Sequence, residues 1–166
     1  MDQQEVFNKA VEFLINIGIS VRFETLNSPC FLPGLFIDNG TIIVDLEKLK
    51  YPGDILHEAG HLAVVPAADR VHTCEPDIAL RKDREAEEMM AIAWSYAACV
   101  QLDIDPGFVF HDEGYKNGGS SIAENFKTGH CFGVPMLQWV GMALENKQAE
   151  AQGKPAYPQM LQWLRD

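Results

Sequence analysis

Residues 54–65 read Asp54-Ile55-Leu56-His57-Glu58-Ala59-Gly60-His61-Leu62-Ala63-Val64-Val65. Pro52-Gly53 punctuates the chain just before them, and Asp54 is a good N-cap. Together with the apolar residues that follow, these signals predict a helix over 55–65. On that helix His57 and His61 lie one turn apart and stand one above the other on a single face. Imidazole nitrogens so placed can meet one ion at about 2.0–2.1 Å, the distance zinc prefers. Glu58 sits about 100° round the helix, so it reaches the ion's edge without ligating it. There it can take a proton from a water whose pKa the ion has lowered to near 7. Gly60 costs a helix about 1 kcal/mol relative to alanine, a cost that makes sense where a second element must approach closely.

Catalytic zinc usually takes three protein ligands and keeps one position open. A long helix predicted over 81–102 offers Glu85, Glu87 and Glu88. Glu88 heads a stripe of Ala91, Ile92, Ser95 and Cys99, all small or apolar, so that face can lie against another helix and carry its carboxylate to the ion. Glu87 heads a stripe through Ala91, Trp94 and Ala98, and Glu85 one through Met89, Ile92 and Tyr96. Glu88 is the preferred third ligand. Glu85 and Glu87 stay open as alternatives, since all three also suit a solvated first turn, where acids favour the helix dipole.

Outward from this centre, Phe7, Ala10, Val11, Leu14 and Ile17 keep helical spacing, and Gly18 ends a helix predicted over 2–17. Residues 19–26 alternate apolar and polar side chains as a half-buried strand does. Asp38-Asn39-Gly40 between the apolar runs 35–37 and 41–44 is a strong hairpin signal. The expectation is a helix followed by a small antiparallel sheet. Beyond the long helix, Pro106 and a turn at Gly118-Gly119 separate two or three short apolar helices, the last over 158–164, with Tyr157-Pro158 as its boundary. The fold class expected is therefore α+β, one domain over 1–166: helix plus small sheet in 1–50, metal-site helices in 51–102 and a helical segment in 103–166.

Composition bounds the function. A chain of 166 residues suits one domain and can bury about two thirds of its unfolded surface. Its net charge of −11 repels phosphate backbones and argues against nucleic acid as a ligand. The longest apolar-rich run, 89–100, is well short of the about 20 residues a membrane helix needs. The start carries acid where a secretory signal carries Lys or Arg. Cys30, Cys74, Cys99 and Cys131 form no CxxC pair and no regular spacing. These features predict a soluble protein in a reducing, cytoplasmic setting, with no membrane partner.

Other residues have plainer expectations. His111 and Tyr115 are read first as a structural hydrogen bond or an exposed loop, and second as donors to an oxyanion in the cleft. His72, Cys74, His130 and Cys131 have no partner spacing that would make them ligands. Trp94, Trp139, Trp163 and the nine phenylalanines are read as core.

The hairpin ending in Ile42-Ile43-Val44, then His57-Glu58-Ala59-Gly60-His61, then Glu88-Met89-Met90-Ala91 resembles the HExxH zinc metallopeptidases whose third ligand is glutamate, the gluzincins. Among them the chain is most similar to the ImmA/IrrE-like group, which pairs a motif such as HELGH with a later E-x-x-A-N-x-F-A helix. The likeness covers residues 19–100. It implies a zincin-like fold, zinc as cofactor held by His57, His61 and Glu88, Glu58 as general base, and a peptide or protein substrate. The chain departs from the group at Ile92, where a polar residue would support a ligand, and carries Trp94 where the group's aromatic stands. No helix-turn-helix extension is evident, so a DNA-linked role does not transfer. Two readings follow. The first is a zinc metallopeptidase whose substrate lies extended along the edge of strand 41–44. The second is a non-catalytic, metal-stabilised binding or regulatory module.

Overall fold

A computed structural model describes residues 2–116 and 118–166. Helix α1 (Gln3–Ile17) begins in a capping box, with the Asp2 carboxylate accepting from the Glu5 N–H and the Glu5 carboxylate accepting from the Asp2 N–H. It buries Phe7, Ala10, Val11 and Leu14, and ends on Gly18 in the left-handed region at φ 100°. Strand β1 (Ser20–Phe23) follows, then a loop, then the hairpin of β2 (Leu35–Asp38) and β3 (Thr41–Val44). Asn39 and Gly40 both take positive φ, 46° and 72°, as the two-residue turn of a twisted hairpin requires.

The sheet order is β1-β3-β2, with β2 antiparallel and β1 parallel to β3. This corrects the expected all-antiparallel sheet. The alternation in 19–26 carries no information on direction; the long 24–34 connection, which returns the chain to the far side of the hairpin, sets it. A second correction follows: β3 is paired on both sides, so it has no free edge on which a substrate could add as a strand. Its Ile42, Ile43 and Val44 are buried, as suits the central strand.

Helix α2 (Asp54–Val64) carries the HExxH residues, and ten of its eleven residues are buried. Asp54 is the first helical residue rather than the expected N-cap, a position taken by Gly53 with no side-chain cap. Two short turns, α3 (Ala67–Arg70) and α4 (Glu75–Ile78), lead to α5 (Arg84–Leu102), which starts three residues later than expected. Helices α2 and α5 form the most extensive helix pair of the fold. Ser95 Oγ, on the small-residue stripe, reaches Leu56 O at 3.2 Å and Ala91 O at 2.7 Å.

A 3-10 turn (Pro106–Phe108) and helices α6 (Gly119–Lys127), α7 (Val134–Trp139) and α8 (Asn146–Gln152) complete the chain. Segment 158–164 is irregular, correcting the expected last helix. Its backbone groups bond to neighbours instead of to each other: Leu161 N donates to Met142 O at 2.9 Å, and Trp163 O accepts from Trp94 Nε1 at 2.8 Å. Trp163 packs edge-on to Phe13 and Trp94. Trp94 is in the core as expected, but Trp139, Phe31 and Phe23 are 90%, 87% and 51% exposed, which corrects their assignment. Among the described residues, no helix is long and apolar enough to cross a membrane.

Candidate metal centre

Helix α2 presents His57 and His61 side by side because 3.6 residues per turn brings i and i+4 to one face. Their Nε2 atoms converge to 3.1 Å. From α5, Glu88 closes the triangle, with Oε1 at 3.6 Å from His57 Nε2 and Oε2 at 3.2 Å from His61 Nε2. Four ligands about 2.0–2.1 Å from an ion would stand about 3.3 Å from one another. These distances, two of them to different oxygens of Glu88, lie near that value, and one atom from each residue lies within 4.8 Å of the others, so His57, His61 and Glu88 can hold a metal ion. What permits the approach is Gly60. A Cβ there would stand 2.8 Å from Ala91 O and 3.1 Å from Ala91 Cα, so any larger residue would push α5, and Glu88 with it, away from the histidines.

The donor chemistry matches a cation. Burial, and then the neighbouring His61, hold His57 well below the usual imidazole value, and burial pulls His61 down to about 4. Both rings are therefore neutral near pH 7, the form that ligates. Burial also raises the Glu88 carboxyl. Glu58 is pushed up to about 8, by burial first and then by the negative charges of Glu75, Asp54 and Glu88. A cation among these carboxylates would offset that repulsion and favour ionised Glu58.

The three donors and Glu58 line one cleft of about 880 Å³. Asp54 and Tyr115 also line it, and its remaining wall is largely apolar. His111 Nε2 lies 2.8 Å from Asp54 Oδ1, and His111 Nδ1 accepts from Gly114 N at 3.1 Å. With that acceptor role fixed, Nε2 carries the proton and donates to Asp54. His111 is thus a structural hydrogen bond, the first of its two expected roles. Tyr115 stands edge-on to His57, ring centroids 5.9 Å apart. Its hydroxyl and His57 Nδ1 are buried without a hydrogen-bond partner among the described residues.

The remaining candidates fall outside this cluster. Glu87 is buried and paired with Arg81, Nε to Oε2 at 2.7 Å. Glu85 lines the cleft but is not in the converging group. Cys74 Sγ bonds near the hairpin tip, to Asn39 N and Asp38 Oδ1, and His130 Nδ1 lies 3.2 Å from Thr128 Oγ1. Sequence reasoning missed the Asp54–His111 pair, because the cap signal at Asp54 masked its burial. It missed the apolar cleft wall too, because Phe31, Leu32, Ile78, Ala79 and Met89 lie on separate segments that only the fold brings together.

Comparisons of the chain with protein-family models, with curated proteins and with solved structures find no match.

Proposed function

We propose that this chain is a zinc-dependent hydrolase on a zincin-like fold, acting on peptide bonds. The observation that carries the reading is the convergence of His57, His61 and Glu88 at ligand spacing in the same cleft as the buried Glu58. Two neutral imidazoles and one carboxylate suit zinc. When bound, the ion supplies Lewis acidity to the scissile carbonyl and acidifies water.

The chain's own groups do the rest. His57 and His61 hold the ion from one helix and Glu88 from another. Glu58, next to a ligand but outside the converging triad, accepts the proton of the attacking water and delivers it to the leaving amine. Burial and the neighbouring carboxylates raise its affinity for a proton, and a cation at the three donors would lower it again, leaving Glu58 ionised to take the proton and basic enough to hold it. The substrate is held along the cleft, between the 24–34 loop with α4 and the start of α5, rather than by strand addition to β3.

A second reading, a metal-stabilised binding module without turnover, is favoured by one observation. Among the described residues, His57 Nδ1 has no outer partner of the kind that usually fixes a ligating imidazole. The experiment that separates them is digestion of a mixed peptide library by the zinc-loaded protein, read by mass spectrometry. The hydrolase gives cleavage that Glu58→Gln abolishes while the ion stays bound. A zinc-loaded wild type that cuts nothing supports the binding module.

A further inference from the structure

The cleft's chemistry is uneven. Phe31, Leu32, Ile78, Ala79 and Met89 give it an apolar wall. Phe31 is 87% exposed, an uncommon state for a phenyl ring. The Phe31 N–H donates to Glu75 Oε1 at 3.2 Å, tying the loop end to α4.

Charge on the lining is one-sided. Besides the metal-site carboxylates and Asp54, which is paired with His111, the wall carries Glu75 and Glu85. Its one arginine or lysine is Arg84, whose Nη1 donates to Ala79 O at 2.8 Å. An apolar side chain entering here leaves water for apolar contact. An acidic one meets Glu75 and Glu85: the two charges of a bound zinc ion would be matched by Glu58 and Glu88, and Arg84 is left to offset the rest.

We infer that this cleft selects a polypeptide segment that presents a large apolar side chain at the metal centre, and that it rejects an acidic side chain at that place. The inference rests on the hydrolase reading for the identity of the substrate, but the selectivity is a property of the wall and can be measured without turnover.

The test uses three hydroxamates on the zinc-loaded protein, with affinities from calorimetry at pH 7.5: acetohydroxamate, 3-phenylpropanohydroxamate and succinic monohydroxamate. The phenyl compound is expected to bind about tenfold tighter than acetohydroxamate or better, and the acidic compound no tighter than acetohydroxamate. Phe31→Ser should shrink the phenyl advantage several-fold while acetohydroxamate binds unchanged. Glu75→Gln, which keeps the oxygen that Phe31 N–H uses, should improve the acidic compound alone. Equal affinities for all three compounds, or a phenyl advantage indifferent to Phe31→Ser, would overturn the inference and leave the hydrolase reading intact. Selectivity as expected, with no Glu58-dependent cleavage of the peptide library, would instead overturn the hydrolase reading and keep the selectivity as that of a binding cleft. Failure of all three to bind would overturn both.

Discussion

Gly60 and Ala91 meet across the α2–α5 contact: a methyl group at Gly60 would lie 2.8 Å from the Ala91 carbonyl oxygen. Gly60→Ala gains about 1 kcal/mol of helix propensity but forces two packed backbones apart, an overpacking that costs about 1–3 kcal/mol. We expect net destabilisation in urea unfolding and weaker zinc binding, because Glu88 rides on the displaced helix.

Ligand assignment separates three neighbouring glutamates. Glu88→Gln is expected to weaken zinc binding by about 100-fold or more, beyond the about 10–100-fold cost of losing an outer support. Glu85→Gln should leave affinity within a few-fold of wild type. Competition against a chromophoric chelator measures both.

Glu87 answers a different question. It is buried and held by the Arg81 guanidinium through Nε and Nη2, at 2.7 and 2.9 Å. Arg81→Ala would strand that carboxylate, and breaking a buried pair from one side costs about 3 kcal/mol. The expected result is a lower unfolding midpoint with zinc stoichiometry preserved.

Metal-free stability should peak near pH 6.5. His57 and His61 stay neutral in the native state well below the 6.5 of the unfolded chain. As pH falls from about 6.5 toward about 4, the unfolded chain therefore binds more protons at these sites and stability drops. Glu58 behaves oppositely: native protein keeps its proton up to about 8, whereas the unfolded chain releases it near 4.5. Stability from this group is full below 4.5 and is lost as pH rises to 8. The two imidazoles oppose the raised carboxyls of Glu58, Glu88 and Asp54 on the acid side, and above 6.5 only the carboxyls still act, Glu58 the furthest raised. Urea unfolding in chelator from pH 5 to 8.5 should show the maximum, and Glu58→Gln should remove most of the alkaline decline.

How far the chain could be read in advance depended on which interactions were local. The helix stop at Gly18, the Asn39-Gly40 turn and the one-turn spacing of His57 and His61 are fixed within four residues, and all three stand as read. The Gly60 cost and the Glu88 stripe together foretold the close α2–α5 contact, since each signal sits on one helix and points at a partner. Non-local choices were not legible. The direction of β1 depends on where the 24–34 loop carries the chain. The extended course of 158–164 depends on acceptors and donors at Met142 and Trp94. Asp54 looked like a cap because its actual partner, His111, is 57 residues away.

The most direct test of the metal centre is the anomalous-scattering map of a crystal of the zinc-loaded protein. The expected result is one ion within about 2.0–2.2 Å of His57 Nε2, His61 Nε2 and a Glu88 carboxylate oxygen, with the Glu58 side chain facing the ion's open position. An ion bound elsewhere, or three side chains that draw apart with no ion between them, would contradict the account.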